Sequence, residues 1–175
     1  RRQRQMCIRD RGGIKSVLMV TLLFVLAHNI LYTYIAPLVS PAELTQKLDV
    51  VLLLFGVTAI AGIGIVGYLI GRWLRELVLA SIMLFAGAAL IFGLGGNVPE
   101  FFWLATGVWG LAFGGAATLF QTAAAKTSGK ASEVAQAMIV TAWNLAIAGG
   151  GIIGGLLLEH SGINWLACAV LALSL

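Results

Sequence analysis

Residues 17–39 read VLMVTLLFVLAHNILYTYIAPLV, a stretch without a single charged side chain, preceded by Arg1, Arg2, Arg4, Arg9, Arg11 and Lys15. About 20 apolar residues carry an α-helix across ~30 Å of hydrocarbon, so this stretch predicts a first membrane span. Working outward, further apolar blocks cover residues 50–70, 77–94, 101–125 and 134–158, with a short last one at 164–175. Arg72 and Arg75 follow the second block, and Lys126 and Lys130 follow the fourth. The loops after the first, third and fifth blocks hold one base, Lys47, beside Glu43, Asp49, Glu100 and Glu159. Cationic loops resist translocation, so the basic side is expected to be cytoplasmic, with the first helix running outward from it. The expected fold class is an all-α membrane protein, a bundle of six transmembrane helices whose last helix is cut.

Composition points the same way. Hydrophobic residues form 60% of the chain and charged residues 10%, against about 25% charged in a soluble domain. The net charge of +4 is scattered among short loops. Nucleic-acid binding would need it gathered on one face, so no nucleic-acid partner is expected. Cys7 and Cys168 lie far apart without a spacing motif and read as free thiols rather than a disulfide or metal pair. The first apolar stretch is too long for a cleavable signal and lacks a small-residue cleavage site. The chain has no initiator methionine, and its final apolar run is too short for a span, so it reads as a piece of a longer protein. Residues 1–13 read as a basic cytoplasmic leader, loop-like or foreign in origin, and residues 14–175 as the helical unit.

The chain also resembles itself. Residues 60–69 (IAGIGIVGYL) and 147–156 (IAGGGIIGGL) match at Ile60/Ile147, Ala61/Ala148, Gly62/Gly149, Gly64/Gly151, Ile65/Ile152, Gly67/Gly154 and Leu69/Leu156. Each copy ends the middle span of a three-span group, and the charge pattern gives the two spans opposite directions. Chance similarity among common membrane residues competes with a genuine 3+3 inverted repeat, the building block of secondary transporters. Gly67 with Gly71, Gly110 with Gly114, Gly150 with Gly154 and Gly151 with Gly155 sit four apart, where small residues let helices approach closely. Gly64, Gly67, Gly71, Gly151 and Gly154 are the expected packing positions. They serve either ordinary bundle packing or a sliding contact with a partner half.

No Asp, Glu, Lys or Arg falls deep within a predicted span, which leaves few candidates for ion coupling. The strongest polar cluster is His28, Asn29, Tyr32 and Thr33. His28 and Tyr32 share one helical face, with Phe24 a turn earlier, and Asn29 with Thr33 form the adjacent stripe. Such a face should meet protein or a water-filled cavity rather than lipid. It serves either as a substrate-contacting wall or as a helix–helix hydrogen bond in the core. Gln121, beside Thr118 and Thr122, and Asn144, beside Thr141 and Trp143, are smaller signals of the same kind. Walker, HExxH and GxSxG patterns are absent, no nucleophile–base pair or metal-ligand spacing presents itself, and neither an enzyme nor a cofactor is expected.

The segment FVLAHNILYTYIAPLV (24–39), the turn GYLIGRWLR (67–75) and AWNLAIAGGGIIGGLLLEHSG (142–162) together resemble the carboxyl-terminal half, helices seven to twelve, of a major facilitator superfamily transporter. Within that superfamily the likeness is to bacterial drug and sugar efflux permeases of the proton-antiport type, over residues 14–175. The turn is similar to the family's G-x-x-x-D-R-x-G-R-R motif at Gly67, Arg72 and Arg75. Gly71, Leu74 and Glu76 depart from it, which puts in doubt the interhelical charge lock that the acid would make. The resemblance implies a bacterial inner-membrane protein that exports a drug or sugar by proton-coupled alternating access, together with a missing amino-terminal half. It implies substrate contacts at His28, Asn29, Tyr32 and Gln121, with the proton-carrying acids in the other half. The alternative is a non-transporting membrane scaffold or regulatory subunit.

Overall fold

The computed structural model describes residues 2–162 and 164–174. Arg1, Ile163 and Leu175, and the side chains of residues 2–12, 161 and 164, lie outside this description, so Arg1 of the leader and the Cys7 thiol are not placed. Among the described residues the chain is helical throughout and has no strand. Leu, Ile, Val and Ala dominate the runs, and in hydrocarbon a helix satisfies every backbone polar group within its own segment. Three helical stretches, Gly13–Thr33, Thr45–Gly95 and Pro99–His160, are long and apolar enough to cross a membrane.

Helix α1 spans Arg2–Thr33, so the leader continues the first helix instead of forming the loop expected there. The first span does not run unbroken to Val39. The helix stops at Thr33 and resumes as the short α2, Ile35–Val39, followed by 3₁₀ turns at Ser40–Ala42 and Thr45–Lys47. Pro41 sits inside the first of these turns, where its missing N–H costs nothing.

Helix α3, Leu48–Gly95, covers both the second and the third predicted spans. The expected turn over 67–75 narrows to one residue of non-helical backbone, Trp73 (φ −125°, ψ 35°). A straight helix would hold Phe55 and Phe92 about 55 Å apart. Both rings instead lie against Trp109, with centroids at 4.4 and 6.2 Å, so α3 doubles back at Trp73 into two arms. Helix α4, Pro99–Gly114, begins with proline in its first turn, where the ring fits. Helices α5 (Ala116–Ser128), α6 (Ser132–Ser161) and α7 (Asn164–Ser174) follow. Gly162 ends α6 at positive φ with extended ψ (φ 83°, ψ 175°), a conformation open to glycine because it lacks a β-carbon.

Packing sets the directions. Leu18 of α1 packs on the cluster of Ile139 of α6, Asn29 meets Gly150, and Tyr34 meets Gly154, so α1 and α6 run parallel. Phe55 and Thr58 of the first α3 arm lie at Gly110, Ala59 at Gly114 and Val66 at Gly115, so this arm runs parallel to α4 and α5. Phe24 touches Phe113 and Phe120, while His28 and Tyr32 touch Trp109, so α1 runs against α4 and α5. The similar segments 60–69 and 147–156 therefore point in opposite directions.

Glycine governs the closest approach. A β-carbon at Gly114 would strike the Ala59 carbonyl, one at Gly62 the Leu111 carbonyl, and one at Gly110 the Thr58 hydroxyl. Of the expected packing positions, Gly154 lies under the Tyr34 ring, whereas Gly64, Gly67, Gly71 and Gly151 face open space. Close packing within this chain therefore involves Gly62, Gly110, Gly114, Gly150 and Gly154, and not Gly67 or Gly71. On the first α3 arm, Leu53, Val57 and Ile60 are exposed on the helical stripe that Gly64, Gly67 and Gly71 continue.

Candidate functional site

An aromatic cluster fills the middle of the bundle. Helix α1 contributes Phe24, His28 and Tyr32 at four-residue spacing, which puts all three on one face. The α3 arms supply Phe55 and Phe85, α4 supplies Trp109 and Phe113, and α5 supplies Phe120. The Phe24 ring lies 5.0 Å from Phe85 and 5.4 Å from Phe120, in tilted and edge-on contacts that suit aromatic quadrupoles.

His28 stands at the junction of this cluster. Its ring is parallel to that of Phe113, with centroids 3.4 Å apart and planes within 6°. The Trp109 indole Nε1–H donates to His28 Nδ1 over 3.1 Å. Both residues are buried, Trp109 completely. Tyr32 lies 5.5 Å from His28, 5.9 Å from Phe55 and 6.3 Å from Trp109, and it is 46% exposed. The cluster thus reaches the surface at Tyr32.

The other expected site residues separate from this pair. Asn29 turns toward α6, its β-carbon against Gly150 and its Nδ2 donating to the Val25 carbonyl at 2.8 Å. Asn144 is exposed and donates to the Val140 carbonyl at 2.9 Å. Its neighbour Trp143 lies 6.1 Å from Phe113, which holds α6 beside the cluster. The Gln121 side chain is exposed, and its backbone carbonyl accepts from Gln136 Nε2 at 2.8 Å. The loop residues Gly67, Arg72 and Arg75 are all exposed at the α3 reversal.

Trp109, Phe113 and Phe55 are the residues that sequence reasoning passed over. The signal was present, since Trp109 and Phe113 share a face at four-residue spacing, but aromatic spacing alone does not say which helix lies opposite. Tyr34 was also missed. Its hydroxyl donates to the Gly151 carbonyl at 2.7 Å, and its ring covers Gly154.

A concavity of about 450 Å³ lies between α1 and α6, lined by Lys15, Leu18, Met19, Leu22, Met138 and Thr141 among others. Gly13 meets Thr127, and Ile14, Val17 and Leu18 pack on Ala124, Ala135 and Ile139. Lys15, Lys126 and Lys130 therefore belong to one end of the bundle. Among the described residues no three His, Cys, Asp or Glu side chains gather as a metal site would require.

The chain is similar to a probable sugar efflux transporter of Mannheimia succiniciproducens, 26% identical over 160 residues. The alignment covers 87% of this chain and 39% of that protein, so the chain spans about two-fifths of its relative's length. No protein-family profile matches the chain. The apolar helices and this likeness make it an integral membrane protein.

Proposed function

We propose that the chain forms one half of a secondary transporter that moves a small organic solute, a sugar or a drug, out of the cell. The observation that carries this reading is the buried His28–Trp109 hydrogen bond inside an aromatic cluster that opens at Tyr32. Polar groups are costly in a membrane interior and are kept where they serve a pathway or a partner. The name of the similar transporter supplies the sugar in this reading.

The half is a six-span 3+3 inverted repeat of the major facilitator type, its basic end and the start of the chain cytoplasmic, in a bacterial inner membrane. The parallel course of α1 with α6, and of the first α3 arm with α4 and α5, supports this arrangement because alternating basic loops require those directions. The exposed stripe of Leu53, Val57, Ile60, Gly64, Gly67 and Gly71, together with Gly151 on α6, meets the amino-terminal half. There the glycines let the two halves rock during alternating access. Solute rests on His28 and Tyr32, the exposed amides of Gln121 on α5 and Asn144 on α6 stand apart from that pair, and Asn29 keys α1 to α6. Protons drive export through carriers outside this chain.

Efflux of a panel of sugars and drugs from cells expressing the full-length protein, with and without a protonophore, tests the reading. Protonophore-sensitive efflux that falls in Tyr32→Ala at equal protein level is the expected result. No efflux of any panel member would sink it.

A further inference from the structure

We infer that Trp109 is a positioning residue that holds His28 in one tautomer, so that His28 Nε2–H donates to an oxygen of an uncharged solute lying against Tyr32. The inference rests on the transport reading above and adds the chemistry by which the site selects its solute.

Indole nitrogen can only donate, so the imidazole nitrogen that it meets must carry a free lone pair. His28 Nδ1 is that nitrogen, and the proton of the neutral ring therefore resides on Nε2. The parallel Phe113 ring fixes the plane of the imidazole, and Trp109 fixes which edge turns inward. Among the described residues Nε2 meets no protein acceptor, yet no buried side-chain nitrogen or oxygen is left without a partner. Nε2 therefore keeps some accessible surface, on a ring that is 6% exposed and stands 5.5 Å from the half-exposed Tyr32.

This arrangement selects chemically. A fixed N–H donor is matched by a hydroxyl, ether or carbonyl oxygen, whereas an ammonium in the same place would leave two donors facing each other. The Tyr32 and Phe55 rings, 5.9 Å apart, offer electron-rich faces to apolar C–H groups. A polyhydroxylated ring with one C–H face and several acceptor oxygens satisfies both surfaces, so the class is an uncharged sugar rather than an organic cation.

The test uses the full-length protein in lipid, labelled with ¹⁵N-histidine, with the His28 signal assigned by its loss in His28→Gln. Wild type should show Nε2 protonated and Nδ1 bare, and Trp109→Phe, which keeps an aromatic ring without the donor, should show both tautomers. In hexose efflux assays, Trp109→Phe and His28→Asn should raise the apparent KM about tenfold with a smaller change in maximal rate. His28→Gln, whose amide N–H reaches the Nε2 position, should recover much of that loss. Wild-type efflux of hexose combined with an unchanged tautomer and KM in Trp109→Phe overturns this inference alone. A wild-type protein that moves no hexose and no drug overturns the transport reading itself. One that exports organic cations in preference to sugars overturns the solute class inferred here.

Discussion

The Tyr34 hydroxyl donates to the carbonyl of Gly151 over 2.7 Å and so joins positions 117 residues apart. Tyr34 sits at the break between α1 and α2, where the helix ladder is interrupted, and its ring fills the space left by Gly154 and Gly155 on α6. One side chain thus ties the carboxyl-terminal end of the first helix to the glycine-rich half of α6.

Removing that hydroxyl tests the tie. Tyr34→Phe should lower stability by about 0.6 kcal/mol, the mean for hydrogen bonds between membrane helices, and by no more than about 1.7 kcal/mol. Gly154→Leu should cost more, about 1–3 kcal/mol, because the ring must leave its seat. Unfolding in mixed micelles by titration with a denaturing detergent reads both. Equal midpoints for wild type and both variants would show that the contact contributes nothing.

Glycines should divide into two behaviours. Gly114→Ala drives a methyl into the Ala59 carbonyl, and backbone cannot yield as a flexible side chain can, so a loss of about 1–3 kcal/mol is expected. Gly64→Ala meets nothing within 4 Å and should leave the fold unchanged or stabilise it by up to about 1 kcal/mol, as helical Gly→Ala changes do. If Gly64 lies in the contact with the other half, efflux falls in Gly64→Ala while stability holds. Unimpaired efflux there would remove Gly64 from that contact.

Orientation is open to labelling. In a background with Cys7 and Cys168 replaced by serine, Arg75→Cys and Lys130→Cys should resist a membrane-impermeant maleimide in intact cells and react after permeabilisation. Glu100→Cys should react in intact cells. The opposite pattern would invert the proposed topology.

Tyr32 and Asn29 lie three residues apart on α1 and have different expected roles. Tyr32→Ala should reduce efflux about tenfold or more, since it removes the exposed ring of the cluster. Asn29→Ala should leave KM close to wild type and act through stability, by about 1 kcal/mol or less, because its amide bonds to its own helix and faces α6. A KM effect for Asn29→Ala as large as that for Tyr32→Ala would return Asn29 to the solute wall.

The helices were legible in the sequence because their cause is local. Unbroken apolar runs of spanning length have one way to satisfy their backbone in lipid, and the position of each run follows from composition alone. Boundaries were less legible. The reversal within α3 occupies a single residue, Trp73, where GYLIGRWLR suggested a longer turn. Helical geometry there needs only one departure in φ and ψ, which leaves almost no mark on composition.

The candidate site was half legible. His28 and Tyr32 share a face by spacing, and the structure keeps them together. Asn29, one residue away, points about 100° around the helix and meets α6, so adjacency in sequence separates what a face would unite.

By itself, the sequence determined that this chain is helical and membrane-embedded, and it singled out the polar face of the first helix, since these follow from hydropathy and from spacing within one helix. Only the tertiary structure decided that Trp109 and Phe113 clasp His28, that Gly114 rather than Gly67 meets a neighbouring backbone, and that Tyr34 reaches Gly151. Those pairings depend on which helices lie side by side and in which direction. Lipid presents nearly the same surface to every apolar face, so hydropathy cannot choose among them, and shape complementarity does.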